Sequence, residues 1–195
     1  MLKKIFLLFI VCSLIFCFTG CNNQNYTKPE YTGDGGNIAV ITVRGYDEPI
    51  RVQLCPEYAP YTVANFKINA EAGVYNGTTF HRVIKNFMIQ GGNPATAGKE
   101  LTDNIIGEFS KNGIDNTLKH ERGVLSMARS DDYNSASSQF FICHQTEGCS
   151  HLDGLYAAFG YVISGMETVD IIAGVTTDYN NRPIIDVVIE SVVLE

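Results

Sequence analysis

The segment 80–92, FHRVIKNFMIQGG, contains the side chains of this chain that are best suited to chemistry. Two runs of alternating character flank Lys85-Asn86, and asparagine tolerates the left-handed backbone of a tight reversal, so the segment predicts a β-hairpin. Because alternate residues of a strand share one face, Arg82 is predicted to lie in a row with Phe80 and Ile84. A single cation in an apolar row requires an explanation.

The second predicted strand of the hairpin supplies the partners of Arg82. Met88 and Gln90 share a face there, and Phe87 lies beside the turn, where strict alternation does not apply. The predicted surface is an apolar floor bordered by two hydrogen-bonding side chains, Arg82 and Gln90. Such a surface suits non-covalent work on a ligand that presents an apolar group beside polar atoms.

Other kinds of catalytic group are not indicated. Ser150, His151 and Asp153 are too close in sequence to adopt the converging geometry of a hydrolase triad, and no nucleophile elbow is present. His81 points to the face opposite Arg82 and is expected to be a hydrogen-bonded interior side chain. The other histidines show no ligand spacing among themselves or with acidic residues, so we expect no metal.

The hairpin resembles the corresponding segment of the cyclophilins, a family of peptidyl-prolyl cis-trans isomerases. Further motifs of that family follow in order and with similar spacing over about residues 37–195. They are Thr62–Phe66 (TVANF), Gly123–Arg129 (GVLSMAR), Ser137–Ile142 (SSQFFI), Leu152–Gly154 (LDG) and Phe159-Gly160. Several motifs in register are a much more specific signal than one short pattern.

The resemblance implies a fold and a set of site residues. The fold is mainly β, a closed eight-stranded antiparallel barrel capped by two helices. Arg82 and Gln90 are implied to be catalytic, Arg82 by donating toward the prolyl nitrogen and Gln90 by steadying the peptide carbonyl. The implied substrate-binding residues are Phe87, Met88, Ala128, Arg129, Gln139, Phe141, His151, Leu152 and Tyr156. The implied partners are proline-containing peptides and unfolded exported proteins, and no cofactor is implied.

Three positions depart from the pattern of the best-known eukaryotic cyclophilins. His151 stands in place of a tryptophan, Tyr156 in place of a histidine, and Arg129 in place of an asparagine. Tight binding of cyclosporin uses that tryptophan, so its replacement argues against tight cyclosporin binding here.

Hydrophobic patterns predict the elements that position these residues. Pro60 opens a helical stretch that ends at Gly73, and a second short helix is predicted near 169–172. On the strand 139–142, Phe141 is predicted to face outward and to line a binding site, opposite the core-facing residues. Residues 93–120 are predicted to form a long, partly ordered connection. The other predicted strands are Ile38–Val43, Ile50–Leu54, Gly123–Ala128 and an apolar segment within 183–194.

The amino terminus has the layout of an export signal. Lys3 and Lys4 precede the apolar run Ile5–Phe18, which is short for a membrane span, so residues 1–20 are predicted to be a signal peptide. The sequence FTGC that ends at Cys21 resembles the lipobox of bacterial lipoproteins. This implies lipidation of Cys21 and a lipid anchor on the outer face of a bacterial cell membrane, whereas an ordinary signal peptide cut nearby is the alternative.

The rest of the chain divides at residue 37. Residues 21–36 are polar and lack apolar periodicity, which predicts a flexible tether, and residues 37–195 are predicted to form the isomerase domain. Removing residues 1–20 takes away two lysines and no acidic residue, so the net charge changes from −7 to −9. An acidic protein argues against nucleic acid binding and against electrostatic docking on anionic lipid.

Two questions stay open at this point. Cys143 and Cys149 either form a disulfide that closes a small loop or remain free thiols. If they pair, Cys55 is left as the remaining thiol. The chain is an exported isomerase, a module that only binds proline peptides, or a surface lipoprotein that uses the barrel as a scaffold. Retention of both Arg82 and Gln90 favours the isomerase, because a pure binder does not need Arg82.

Overall fold

The structure, a computed structural model, describes residues 26–195. It is mainly β, with eight strands in one antiparallel sheet and three α-helices. The strands are β1 (Ile38–Val43), β2 (Ile50–Leu54), β3 (Arg82–Ile84), β4 (Met88–Gly91), β5 (Val124–Met127), β6 (Phe140–Cys143), β7 (Ala158–Ser164) and β8 (Ile189–Leu194). The helices are α1 (Pro60–Glu71), α2 (Thr146–Cys149) and α3 (Met166–Ala173). Within this part of the chain, none of the helices is both long and apolar enough to cross a membrane.

The sheet is a curled half-barrel, so the prediction of a closed barrel is wrong. The strand order is β3-β4-β6-β5-β7-β2-β1-β8, and no ladder joins the edge strands β3 and β8 among the described residues. The segments just before the two edge strands meet at an isolated bridge between Thr79 and Val188 and through backbone hydrogen bonds, such as that from the Phe80 N–H to the Val187 carbonyl at 2.9 Å. Closure fails because β3 has only three residues and pairs with the segment before β8 instead of with β8. The Val83 N–H donates to the Asn181 carbonyl in that segment at 2.8 Å. That segment covers the exposed edge.

Most of the predicted elements are present. The predicted hairpin of β1 and β2, the helix that begins at Pro60 and the short helix α3 are confirmed. The four-residue α2 and the strand β7 were not predicted. The sequence of β7 hides its strand character because Gly160 interrupts the pattern. A Cβ atom at Gly160 would lie 2.5 Å from the Gln53 carbonyl oxygen, so the close approach of β7 to β2 requires glycine.

An aromatic cluster fills the core between α1 and the sheet. The ring of Phe66, on α1, lies 5.0 Å from that of Tyr75, 5.7 Å from that of Phe140 and 5.3 Å from that of Phe159. All four side chains are fully buried. Edge-to-face and tilted contacts at these distances add to the hydrophobic stabilisation of the rings. The cluster therefore fixes the inner face of β6, whose outer face carries part of the site.

The described part of the predicted tether, residues 26–36, lies along the domain and is not a free coil. Thr27 forms a parallel bridge with Ile105, and the Tyr31 hydroxyl is hydrogen-bonded to Glu71 of α1. The buried Lys67 ammonium donates to the Gly35 carbonyl at 3.1 Å. The polar composition that suggests a coil instead supplies partners for buried donors on α1. The predicted signal peptide and Cys21 lie outside the described residues.

We predict that Phe66→Ala lowers the free energy of unfolding by about 3–5 kcal/mol, because it leaves a cavity among three other rings. Urea unfolding followed by circular dichroism measures this change. Ile171→Ala is the matched control, since Ile171 on α3 is 60% exposed, and its expected effect is within about 0.5 kcal/mol. Equal losses for the two variants would contradict the assignment of the core.

Candidate active site

The hairpin of β3 and β4 carries the two predicted catalytic residues. Arg82 lies directly opposite Gln90, and Ile84 lies opposite Met88, so these four side chains share one face of the pair. The turn between the strands contains Asn86 with a φ of 64°, the left-handed conformation expected from the sequence. The hairpin prediction is confirmed, and its outer face presents a cation and an amide across one ladder.

The predicted row of Phe80, Arg82 and Ile84 is wrong at its first member. β3 begins at Arg82, and Phe80 precedes it. Phe80 is fully buried in the core, with its ring 6.1 Å from that of Phe140. A Cβ atom at Gly91 would lie 2.9 Å from the Phe80 ring, so this glycine makes room for the ring to enter the core. Arg82 is therefore the first outward-facing residue of its strand.

The outer face of β6 supplies the floor of the site. Phe141 lies opposite Gln90 of β4 and opposite Ser126 of β5. Its neighbours Phe140 and Ile142 belong to the core, as predicted. On the outer face a second apolar cluster forms, made of Met88, Val124, Phe141, Cys143, Cys149, Leu152 and Ala158. The sheet thus buries apolar side chains on both faces at this point.

An open pocket of about 110 Å³ lies over this second cluster. The residues that line it are Arg82, Phe87, Met88, Gln90, Ala128, Arg129, Phe141, Leu152 and Tyr156. Every one of them was proposed from the sequence as a site residue. The structure brings them together from both strands of the hairpin, from the ends of β5 and β6, and from the 152–156 turn.

The two other sequence-proposed residues lie next to the pocket and do not line it. Gln139 accepts a hydrogen bond from Gln90 Nε2 at 3.1 Å, so it orients the amide of Gln90. His151 is exposed, and its ring packs against the Phe87 ring with 5.5 Å between the centroids. Both residues support pocket side chains from outside.

The Arg82 guanidinium is lightly restrained. Arg82 Nη1 donates to Gln90 Oε1 at 3.4 Å, and within residues 26–195 the side chain makes no ion pair and no other hydrogen bond. A guanidinium has five N–H donors in a planar fork. Arg82 therefore presents donors toward the pocket that its protein neighbours do not use.

Arg129 fixes one wall of the pocket by cation–π contacts and hydrogen bonds. Its guanidinium lies over the rings of Tyr156, Tyr133 and Phe109, at 4.5, 5.0 and 5.1 Å from their centroids. Its Nε and Nη2 atoms donate to the Leu155 carbonyl at 3.1 and 3.0 Å. Arg129 thus holds Tyr156 in place at the edge of the pocket.

Comparison with known proteins shows what kind of site this is. Residues 38–194 match the family model described as cyclophilin type peptidyl-prolyl cis-trans isomerase/CLD. The chain belongs to this family. It is 42% identical over 139 residues to a peptidyl-prolyl cis-trans isomerase of Arabidopsis thaliana, covering 71% of this chain and 84% of that protein. It is 46% identical over 132 residues to a peptidyl-prolyl cis-trans isomerase of Acinetobacter baylyi, covering 66% of this chain and 68% of that protein.

The fold comparison agrees with the sequence comparison. A cyclophilin type peptidyl-prolyl cis-trans isomerase of Cryptosporidium parvum, crystallised in the presence of the dipeptide Ala-Pro, superposes with a TM-score of 0.71 at 30% identity. The match covers 81% of this chain and 98% of the other. The protein is therefore a peptidyl-prolyl cis-trans isomerase with the cyclophilin fold.

A hydrogen-bonded network beneath the cyclophilin pocket was not predicted. His120 stacks on Phe141, with 6.1 Å between ring centroids and 16° between planes. Its backbone N–H donates to Asp153 Oδ1 at 2.8 Å, and its Nδ1 lies 3.1 Å from the same oxygen. A carboxylate accepts, so Nδ1 carries the proton and Nε2 accepts from the Ser126 hydroxyl, 2.9 Å away. Asp153 and Phe141 lie more than 20 residues from His120 in sequence, so no local spacing indicates the network.

This serine–histidine–aspartate arrangement is structural. Ser126 and His120 are buried, at 0% and 1% exposed, and Phe141 covers the imidazole, so no substrate reaches the serine hydroxyl. Burial lowers the pKa of His120, which keeps the ring neutral near neutral pH. The network therefore supports Phe141 and the 152–156 turn from below.

The three described cysteines are free thiols, so the pairing that the sequence left open between Cys143 and Cys149 is not made. Both belong to the apolar cluster under the pocket. The Cys149 thiol donates to the Phe87 carbonyl at 3.1 Å. The neighbouring Cys149 and burial raise the pKa of Cys143, which keeps it protonated. Cys143 and Cys149 therefore act as packing groups beneath the pocket.

We predict that His120→Phe lowers the free energy of unfolding at pH 7 by about 1–3 kcal/mol, because it leaves the buried Ser126 hydroxyl without its partner and removes the imidazole donor to Asp153. Urea unfolding at pH 7 measures this loss. His151→Phe is the matched control, since His151 is exposed and makes no comparable network in the described structure. A loss for His120→Phe no larger than for His151→Phe would show that the network does not stabilise the fold.

Proposed function

We propose that the pocket bordered by Arg82 and Gln90 isomerises X-Pro bonds of exported proteins by stabilising the twisted amide, without a covalent intermediate. The observation that carries this proposal is the position of Arg82. Its unused donors lie at the edge of an apolar pocket floored by Phe141 and Met88. The combination suits a proline ring with a peptide group beside it. The alanyl-proline dipeptide used with the Cryptosporidium relative fits the same class of substrate.

The barrier to be lowered is rotation about an amide bond. Resonance gives it a height of about 18–20 kcal/mol, so an uncatalysed X-Pro bond relaxes over tens to hundreds of seconds. Twisting the amide returns the lone pair to the prolyl nitrogen. A donor that binds that lone pair favours the twisted state over both planar forms, which is the condition for catalysis. The reaction needs no nucleophile.

Each side chain has a distinct part in the proposed reaction. Arg82 donates toward the prolyl nitrogen and the adjacent carbonyl. Gln90, oriented by Gln139, steadies the peptide carbonyl on the far side of the rotating bond. The proline ring packs on the apolar side chains of the pocket, which are Phe87, Met88, Phe141 and Leu152. The ring stays fixed while the preceding residue rotates.

The energies show that Arg82 does not act alone. Shortening relaxation from about 100 s to about 10 ms requires about 5.5 kcal/mol of transition-state stabilisation. One preorganised donor contributes about 2.7–4 kcal/mol. The remainder must come from exclusion of water and from orientation of the ring over Phe141.

The same pocket is expected to bind cyclosporin weakly. The exposed His151 packs on Phe87 at the position where the family's best-studied members have tryptophan. An imidazole lacks the large apolar face of an indole, so this border of the pocket offers less surface to an apolar macrocycle.

We also propose that the protein is a lipoprotein held on the outer face of a bacterial cell membrane. The charged, apolar and lipobox-like segments that end at Cys21 support this proposal. Only four residues separate Cys21 from Tyr26, and the backbone of Thr27 is already hydrogen-bonded to Asn104 and Ile106. A lipid on Cys21 would therefore hold the domain near the bilayer.

For catalysis, we predict that Arg82→Ala lowers kcat/KM on an X-Pro peptide by about 10²–10³-fold, the value of one preorganised donor. Exchange NMR measures the rate directly. Phe141→Ala is expected to raise KM and to lower kcat, because the ring both binds and orients the proline. Arg51→Ala is the control, since Arg51 pairs with Glu195 outside the pocket and its loss leaves the rate unchanged. Wild-type activity of Arg82→Ala would refute the proposed role.

For localisation, we predict that Cys21→Ala moves the expressed protein out of the membrane fraction, because no thiol remains at that position to carry the lipid. Mass spectrometry of the amino-terminal peptide from membrane-extracted wild type is expected to show cleavage before Cys21 and an added diacylglyceryl mass. A peptide that begins elsewhere without lipid would support the alternative of an ordinary signal peptide.

A further inference from the structure

His144 is a buried histidine that the proposed reaction does not use. It follows β6 and is 6% exposed. Its ring Nδ1 accepts a hydrogen bond from the Asn86 backbone N–H at 3.0 Å, and its own backbone N–H donates to the Phe87 carbonyl at 2.8 Å. Its Nε2 lies 3.2 Å from Asp170 Oδ1. One residue thus connects α3 to the turn that carries a pocket side chain.

The turn needs such support. Phe87 N–H closes the turn by donating to the Ile84 carbonyl at 3.0 Å, and the exposed Asn86 adopts a φ of 64°. A residue other than glycine that adopts the left-handed backbone conformation costs free energy, and contacts with its surroundings must offset this cost. A Cβ atom at Gly148 would lie 2.0 Å from the Asn86 carbonyl oxygen, so α2 lies directly against the turn. The side chain positioned by this turn is Phe87, which lines the pocket.

The neighbours of His144 determine which nitrogen carries its proton. A backbone N–H can only donate, so Nδ1 must be the acceptor and Nε2–H must donate to Asp170. Asp170 is itself held by Arg122, whose Nη1 and Nη2 atoms donate to its two oxygens at 2.7 and 2.8 Å. Arg122 Nη1 also donates to the His144 carbonyl at 2.7 Å. The relay runs from Arg122 through Asp170 and His144 to the Asn86 N–H.

We propose that neutral His144 is a positioning residue for the isomerase, which holds the 85–86 turn and thereby Phe87 against the pocket, and that protonation of Nδ1 removes this support. The inference rests on the proposed function of the pocket. It adds a residue that acts through Phe87 and a predicted loss of substrate binding at acidic pH.

Burial sets the direction in which the pKa of His144 shifts, and three neighbouring charges modify it. Burial is the largest influence and lowers the pKa of His144; Asp170 on α3 opposes this shift, while Arg122 before β5 and Lys85 in the turn reinforce it. The hydrogen bonds from Arg122 lower the pKa of Asp170, which stays ionised. Because the pKa of His144 lies below the ordinary histidine value of about 6.5, the ring is neutral at pH 7. The hydrogen bond from the Asn86 N–H is then lost as the pH falls through the pKa of His144.

Two variants distinguish the contribution of the His144 hydrogen-bond acceptor from the contribution of the ring's shape. His144→Phe keeps the shape and removes the acceptor, and it is expected to raise KM at pH 7 by about fivefold, with a smaller change in kcat, since one hydrogen bond is lost. His144→Asn places an amide oxygen near the position of Nδ1 and does not titrate. KM is measured by exchange NMR on an X-Pro peptide between pH 5 and 8. Wild type is expected to lose affinity toward acidic pH, and His144→Asn to retain it.

His151 is the matched control, because its imidazole ring also contacts Phe87. His151→Asn is expected to keep the acidic loss of affinity. Disappearance of that loss in His151→Asn, identical pH profiles for wild type and His144→Asn, or a wild-type KM for His144→Phe would each overturn the proposal.

A readout independent of activity and of variant folding is the Asn86 amide signal of the wild type. Its chemical shift is expected to titrate with the His144 ring, and a shift that stays constant from pH 8 to 5 would overturn the proposal. Full activity of Arg82→Ala would refute the function of the pocket. A severe effect of Arg82→Ala together with a constant Asn86 signal would refute only the role of His144.

Discussion

The backbone pairing of β4 with β6 is the constraint on which the site depends. It places Gln90 opposite Phe141 and Met88 opposite Cys143, so the amide and the floor of the pocket share one face of two central strands. Because side chains alternate, the other face of the same strands enters the aromatic core. A shift of one residue in this register would exchange Phe141 with Phe140 and destroy core and site together.

Local patterns account for what the sequence predicted well. The alternation around Asn86 identified the hairpin, and the apolar runs identified β1, β2 and α1, because these signals depend on neighbouring residues. Family motifs identified the side chains that line the pocket, and the structure brings these side chains together. Their catalytic and binding roles remain predictions.

The remaining features depend on distant contacts, which short patterns do not contain. Phe80 turns into the core because Gly91, on the next strand, leaves room for it. The sheet stays open because Asn181 occupies the edge of β3. The 26–36 segment docks because Lys67 and Ile105 offer it partners. His120 and His144 show no useful spacing, since each is joined to a carboxylate more than 20 residues away, Asp153 for His120 and Asp170 for His144.

The open seam of the half-barrel makes the two sides of the pocket mechanically unequal. Phe141 lies on β6, which has a ladder neighbour on each side, whereas Arg82 lies on β3, which has a ladder neighbour on one side alone. Displacing the floor would deform the middle of the sheet, whereas displacing the guanidinium bends one short hairpin. In the reaction that we propose, the rigid side recognises the proline ring, and the compliant side lets the cation follow the prolyl nitrogen as the bond rotates.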